Sequence, residues 1–352
     1  MRYKIVKKNG RCTFCWCIVS LIILIDRVMK RIYIFLASLF ILFFLLEGCT
    51  YSGKLSGKFP PLKELKADSI SIPPILLSVT RLFVTDNMLV AYQQRSDTMF
   101  SFWKLPECRY LFRAGSRGEG PDDFLMLDRT FQEMSDGFKA FEIASNKVKE
   151  VVVDSVGTFK VISAKQLEVE QRGLNRFLFF KNDSYCFISD KEEYEYALLD
   201  KDGTVQYFGD YPKGLLEKKE EELNRFVYNK LTVANPQGDK FAAFYAYIKL
   251  CRIYNSKGEL LKETMLESSQ KDISEEKTIY YSSYPYADEN YIYVLTDKEE
   301  RKVLEIWDWE GIPRAHYLLD KPVNCLARSS TDGRLYAVCQ DREDVVYVYS
   351  IP

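Results

Sequence analysis

The sequence predicts an all-β fold, a six-bladed β-propeller whose blades are four-stranded antiparallel sheets, and three observations lead to it. Short apolar strands recur along the chain at intervals of roughly 44 to 56 residues, which is typical of propeller repeats. Turns containing Asp, Asn and Gly separate these strands. Tyr and Phe, which favour strands, number 24 and 23. Helical periodicity is weak, and only 216–226 is predicted to be helical.

The second strand of each repeat is the clearest signal. Five of the six follow a pair such as Asp-Asn or Asp-Gly, and the last follows Asp332-Gly333. These residues tolerate the positive φ of tight hairpins. The predicted second strands are 88–92, 138–142, 185–188, 241–245, 291–295 and 335–339.

The third strands share a pattern of apolar strand, polar residues and Gly, as in 150–157, 196–203, 251–258 and 304–311. A fourth strand follows the Gly, so that each repeat makes one antiparallel blade. The last repeat ends after its third strand, whereas an extra strand-like segment at 62–72 precedes the first repeat. We therefore expect this N-terminal strand to complete the last blade and close the ring, which removes a free sheet edge.

The first 49 residues resemble an export signal. A basic start near Met29 is followed by an apolar run over 32–46 and then by Gly48-Cys49. The apolar run is short for a membrane span, which needs about 20 residues. The segment resembles a lipoprotein signal that is cleaved before Cys49, the residue to which lipid is attached. The alternative is a transmembrane anchor with an incidental Cys.

The predicted organisation is therefore an upstream segment and signal peptide over 1–49, a polar tether over 50–61 and the propeller over 62–352. Translation is predicted to start at Met29. No acidic run follows Cys49, a run that surface-exported lipoproteins often carry. We expect an exported outer-membrane lipoprotein that faces the periplasm, is monomeric and is held to the membrane by its N-terminal lipid.

One motif carries a family resemblance. Residues 115–124 read Gly-x-x-Gly-x-Gly-Pro-x-x-Phe, and with the lipoprotein-like signal they resemble the TolB-like six-bladed propeller lipoproteins of Gram-negative gut bacteria. The resemblance implies the fold and the lipid anchor, and it carries over no catalytic residues. The glycines, with Arg113 and Arg117, could cradle an anion. The interpretation we favour is structural: the glycines allow a tight path between blades and Phe124 anchors it.

Composition excludes several classes of function. The net charge is −1, so that no strong basic field favours nucleic acid. His316 is the only histidine of the chain. A Ser-His-Asp triad or a His-rich metal site is therefore disfavoured, and we expect His316 to have a structural role. No cofactor is predicted.

The predicted mature chain has five cysteines besides Cys49. Because five is an odd number, they cannot all pair, which argues against a complete disulfide framework. Cys325 and Cys339 flank the turn at 330–333 almost symmetrically, so that they could lie opposite each other and form a disulfide. Two buried thiols are the alternative that we favour.

The face that carries the loops between blades is the expected binding face, and its loops at 113–129, 163–175, 210–229 and 267–283 are long. Candidate binding residues on it are Arg95, Arg113, Arg117, Tyr281 and Tyr284. The two tyrosines could be binding anchors or could pack between blades.

Two functions compete. The first is a non-catalytic binding scaffold of the cell envelope for a protein, peptide or glycan. The alternative is a calcium-dependent lactonase- or esterase-like hydrolase with its site at the propeller channel. Asp97, Asn146 and Glu192 are candidate oxygen ligands for it, although no spacing singles them out.

Overall fold

The structure is a computed structural model that describes residues 54–171, 174–266 and 278–352. The predicted signal peptide and Cys49 lie outside the described residues. In the described ranges the chain forms six sheets that together make a six-bladed propeller. The segment 216–226 is not a helix as predicted: only α1, Asn224–Val227, is helical there. A helix this short gains little without an apolar face to bury, and Phe226 is 64% exposed.

Three strands precede the first complete repeat. They are β1 Lys54–Gly57, β2 Lys63–Leu65 and β3 Asp68–Ser71.

The first three blades follow in chain order. The first consists of β4 Arg81–Thr85, β5 Met88–Tyr92, β6 Thr98–Lys104 and β7 Arg109–Ser116. The second consists of β8 Leu127–Met134, β9 Gly137–Glu142, β10 Lys147–Val153 and β11 Phe159–Gln166. The third consists of β12 Leu178–Phe179, β13 Tyr185–Ile188, β14 Tyr196–Leu199 and β15 Val205–Phe208.

The remaining blades continue the same order. The fourth consists of β16 Lys230–Ala234, β17 Lys240–Tyr245, β18 Leu250–Asn255 and β19 Leu260–Leu266. The fifth consists of β20 Tyr286–Ala287, β21 Tyr291–Lys298, β22 Arg301–Asp308 and β23 Pro313–Leu319. The sixth consists of β24 Cys325–Arg328, β25 Leu335–Val338, β26 Val345–Tyr349 and β3.

The N-terminal closure is confirmed. β3 pairs antiparallel with β26, so that the two ends of the chain share the sixth blade. The other two N-terminal strands were not expected. β1 adds to β19 and β2 adds to β23, both in parallel, and they cover the outer edges of the fourth and fifth blades. Part of the predicted tether is thus a strand.

The first strands of consecutive blades contact one another around a closed ring and surround the central channel. Because strand directions alternate within a blade, the loops between blades and the turns between second and third strands share one face, which we call the loop face. β1 runs parallel to β19 and hence toward this face.

Local turn chemistry explains the hairpins. Asp86 and Asn87, between β4 and β5, have φ values of 42° and 55°, as the predicted Asp-Asn turn requires. Gly115 has φ 77°, and a Cβ there would lie 2.6 Å from a ring carbon of Phe100. Phe124 is fully buried against Phe100, at 5.7 Å between ring centroids. These positions fit the structural interpretation of the glycine motif.

Candidate functional site at the mouth of the channel

Two neighbouring clefts open on the loop face around the channel mouth. The first cleft has a volume of about 360 Å³. Loops and turns of the first, second, fifth and sixth blades build it. It is lined mainly by polar residues: Ser78, Thr80, Gln94, Arg95, Arg129, Ser282, Ser283, Tyr284, Lys302, Asn324 and Gln340.

The second cleft, of about 330 Å³, lies where the loops before β12 and β16 meet the turn after β13. It is lined by Gln171, Asn175, Arg176, Ile188, Ser189, Asp190, Arg225, Phe226, Asn229 and Lys230. Both clefts have volumes in the range of small-molecule sites.

Tyr284 connects the two clefts. The Arg129 guanidinium of the first cleft lies 5.7 Å from the centre of its ring, and that of Arg176 in the second cleft lies 4.7 Å from it. Each of these contacts is a cation–π interaction, which holds a guanidinium in place without neutralising it. Both arginines therefore keep hydrogen-bond donors for other partners.

The mouth has an excess of unpaired positive charge. Across the described ranges, no carboxylate forms a salt bridge with Arg81, Arg95, Arg129 or Arg176. Arg95 and Arg129 are exposed, and Arg129 donates one 3.4 Å hydrogen bond to Gln94. Lys302, in contrast, is neutralised by Asp297 at 2.5 Å.

Arg81 lies deeper, at the start of the innermost strand β4, and is 8% exposed. Its Nη1 donates to the Pro285 carbonyl at 2.7 Å, whereas its Nε is buried and has no partner. Burial lowers the pKa of this guanidinium, because a charge is disfavoured away from water. An anion in the channel would offset that cost.

Two carboxyl groups accompany these arginines without pairing with them. Asp128 is 3% exposed, and burial raises its pKa. It accepts hydrogen bonds from the Thr130 hydroxyl at 2.7 Å and the Arg176 amide at 2.9 Å. Glu133 lines a channel cavity of about 70 Å³ with Arg81. Partial desolvation by the surrounding protein raises the pKa of Glu133 to about 7, while part of the side chain remains exposed to water.

Not all of the predicted binding residues reach this site. Arg95 and Tyr284 do, in the first cleft. Arg117 contacts the carbonyls of Gln94 and Leu125 and so supports the turn that presents Arg95. Arg113 donates to Ser96 and to the Thr98 carbonyl, at 2.5 and 2.8 Å, and serves the same turn.

Tyr281 is not on the binding face. It is 1% exposed and packs against Phe244 between the fourth and fifth blades, at 5.4 Å between ring centroids. Its hydroxyl donates to Glu305 at 3.1 Å. Of the two interpretations of the tyrosine loop, packing therefore holds for Tyr281, whereas Tyr284 reaches the cleft.

The sequence analysis did not identify Arg129 and Arg176 as site residues, since a lone arginine in a strand or loop carries no sequence signal.

The two cysteines of the sixth blade do not face each other. Cys325 is opposite Val338 in the ladder, one residue away from the symmetric pairing that the sequence suggested. Both are free thiols, and burial raises the pKa of Cys325 to about 12.

His316 stacks on Phe59 at 4.8 Å between ring centroids, and burial lowers the pKa of His316 to about 4.

The three candidate calcium ligands do not come together in one site. Asp97, Asn146 and Glu192 lie on turns of three different blades, and Glu192 is already engaged by Lys218 at 2.8 Å. Within the part of the chain that the structure describes, no group of three or more His, Cys, Asp or Glu residues could hold a metal ion. No helix in the same ranges is long and apolar enough to cross a bilayer.

Similar solved structures share the fold. One is a protein of Bacteroides fragilis that carries the description of an exported protein, with 11% identity, a TM-score of 0.53, and coverage of 84% of this chain and 99% of that one. Another is a DUF4221 family member from Bacteroides vulgatus, with 8% identity, a TM-score of 0.52, and coverage of 83% and 99%.

A third likeness is to regucalcin, a calcium-binding protein of Agrobacterium tumefaciens, at 10% identity, a TM-score of 0.49, and coverage of 83% of this chain and 96% of that one. It carries no argument about function. No protein-family model and no curated protein matches the chain. These likenesses show the propeller fold alone, and the TolB-like resemblance stays a prediction.

Proposed function

We propose that the protein is a non-catalytic binding protein of the cell envelope that holds an anionic ligand in the first cleft. One observation carries the proposal: among the described residues, Arg95 and Arg129 line this cleft without a carboxylate partner, and no acidic residue lines it. Guanidinium groups bind carboxylates through paired, charge-assisted hydrogen bonds. The hydroxyl and amide side chains of the lining would bind the neutral polar part of the ligand.

The setting in the cell belongs to the same proposal. A lipid on Cys49 would tether the propeller to the outer membrane on its periplasmic side, as the sequence predicts. The lipid supplies the attachment and the propeller supplies the ligand site. Mass spectrometry of the protein from the membrane fraction tests the tether, because the wild type should begin at a lipid-modified Cys49 and the Cys49→Ala variant should carry no lipid.

The binding test uses the full chain in detergent and D-galacturonate as the anionic probe. Calorimetry should detect binding to the wild type, and Arg95→Gln and Arg129→Gln should each weaken it about tenfold or more, since a hydrogen bond to a charged group contributes about 1.5–3 kcal/mol. Arg342→Gln is the matched control, because Arg342 pairs with Asp344 on the surface of the sixth blade.

Neutral D-galactose should not bind, and the galacturonate should be recovered unchanged by mass spectrometry. Equal binding of galactose and galacturonate, or wild-type affinity in both arginine variants, would overturn the anion site. Conversion of the probe would overturn the non-catalytic assignment.

A further inference from the structure

The second cleft repeats the chemistry of the first. Arg176 and Arg225 line it, and neither forms a salt bridge with a carboxylate among the residues that the structure describes. The Arg176 guanidinium donates to the Lys230 carbonyl, at 3.1 Å, and the Arg225 guanidinium lies 5.2 Å from the centre of the Phe226 ring. Two separate clefts therefore each present a pair of guanidiniums without a carboxylate partner.

The remaining charges of the second cleft do not cancel this pair. Lys230 lines the cleft but is bound to the buried Glu195 at 2.8 Å, so that its charge is already compensated. Asp190 is the one carboxylate in the lining, and it is exposed. An exposed carboxylate is screened by water and is free to turn away from a ligand.

The clefts are adjacent. The Arg129 and Arg176 guanidiniums both lie within 6 Å of the centre of the Tyr284 ring. A ligand that passes along this ring would therefore reach the arginine pairs of both clefts. A ligand that is a chain of acidic units could therefore occupy both clefts at once, and linking two binding events raises the effective affinity.

The other lining residues indicate what carries the acidic groups. Hydroxyl and amide side chains line both clefts, with Ser282 and Ser283 in the first and Asn229 in the second. Arginines only donate, so that these side chains add acceptors to the site. Hydroxyl groups both donate and accept, and they suit such a mixed lining.

An exposed aromatic ring completes the site. Phe226 lies in the lining of the second cleft and is 64% exposed, which is unusual for so large an apolar side chain. A flat, solvent-exposed ring suits the apolar face of a sugar. The first cleft offers only Val79 and Cys325 as apolar lining besides Tyr284, so that it suits a ligand rich in hydroxyl groups better than a peptide with apolar side chains.

We propose that the ligand is an acidic oligosaccharide, with carboxylate-bearing sugar units bound in the first and second clefts on either side of Tyr284. This inference rests on the proposed function, because it adds a second subsite to the first cleft. It predicts a dependence on chain length that a single anion site would not show.

The experiment compares D-galacturonate with oligogalacturonides of two to six units, by calorimetry with the full chain in detergent. Affinity should rise at least tenfold from the monomer to the tetramer. The double variant Arg176→Gln/Arg225→Gln should remove this gain, so that the tetramer binds to it no more tightly than the monomer does. Phe226→Ala should reduce the gain, and because Phe226 is exposed this variant keeps the test valid if the double variant fails to fold.

The outcomes separate the two proposals. Binding of the monomer without a gain in affinity at any length would overturn the oligosaccharide proposal and leave the anion site in place. Absence of binding for monomer and oligomers alike would overturn the proposed function itself. If tetra-L-glutamate binds as tightly as the galacturonate tetramer, the ligand is an acidic peptide. If neutral maltotetraose binds as tightly, the site does not require acidic groups. Either result overturns this inference.

Discussion

Two regions of the propeller use charged side chains in opposite ways. Between the third and fourth blades, Glu195 and Glu263 neutralise Lys230 and Arg252, and all four residues are under 9% exposed. At the channel mouth, Arg81, Arg95, Arg129 and Arg176 have no salt-bridge partner within the part of the chain that the structure describes. Both regions lie where blades meet, so that position alone does not explain the difference.

The buried network is complete in itself. Glu195 accepts hydrogen bonds from Lys230 at 2.8 Å, Arg252 at 2.9 Å, and the Tyr245 and Tyr254 hydroxyls at 2.7 and 3.0 Å. Burial alone would raise the pKa of this carboxyl, but the two cations and the hydrogen bonds lower it below its ordinary value. The network leaves no charge for a ligand, which indicates a structural role.

The comparison shows that compensation, rather than burial or residue type, separates structural charge from charge available for binding. A charge whose partner is already present stabilises the fold. A charge held in place without a partner costs stability, or at best adds nothing, unless a ligand supplies the partner. Three substitutions test this distinction.

The largest effect is expected for Arg252→Met. The substitution removes the Arg252 guanidinium from the buried Glu263 and takes away one of the two cations beside Glu195, and breaking a buried pair costs about 3–5 kcal/mol. The free energy of unfolding, from urea denaturation of the full chain at pH 7, measures the loss. Arg342→Met is the control, because its partner Asp344 is on the surface, and its effect should be much smaller. A loss equal to the control's would contradict a stabilising network.

An intermediate effect on stability is expected for Glu305→Gln, because Glu305 is nearly as buried as Glu195 but forms no salt bridge with any residue that the structure describes. Desolvation raises its pKa to about 7, even though Trp307 and Tyr281 donate hydrogen bonds to it. Between pH 4.5 and 7 the folded state therefore holds a proton that the unfolded state releases, so that wild-type stability falls as the pH rises through this window.

The Gln variant has no such proton. Its free energy of unfolding should therefore fall by about 1–3 kcal/mol less than that of the wild type between pH 4.5 and pH 7, since one pKa unit corresponds to about 1.4 kcal/mol. Urea denaturation at pH 4.5 and pH 7 gives this difference. Glu310→Gln, at an exposed side chain, should keep the wild-type slope. Parallel slopes for Glu305→Gln and the wild type would show that the Glu305 pKa is not raised.

The smallest effect is expected for Arg81→Met, the same substitution as in the buried network and at a similar exposure, 8% against 6%. Arg81 has no salt bridge to lose, and removing its desolvated charge offsets the lost hydrogen bond to Pro285. We expect a change in stability within about 1 kcal/mol. A loss as large as that of Arg252→Met would mean that an unpaired buried arginine also stabilises the fold.

The candidate site was only partly predictable. Arg95 and Tyr284 were found because one lies in a turn on the loop face and the other in a tyrosine-rich loop. Arg129 lies within strand β8, and nothing in its neighbourhood indicates that its side chain reaches the channel mouth. Tyr281 and Tyr284 are three residues apart, yet one fills the core and the other lines the cleft. The loop path decides this, and loops have no periodicity to read.

The sequence by itself determined the propeller, its six blades, its hairpin turns and its closure by β3. All of these depend on strand alternation and turn residues, which are local properties that recur in every repeat. Only the tertiary structure decided that β1 and β2 pair in parallel with the outer strands of other blades. It also brought Arg95, Arg129 and Tyr284 into one cleft. These arrangements join residues far apart in the chain, and the closing of the ring, rather than any local preference, fixes which of them meet. The pairing of Cys325 with Val338 was set instead by the register of a single hairpin, β24–β25.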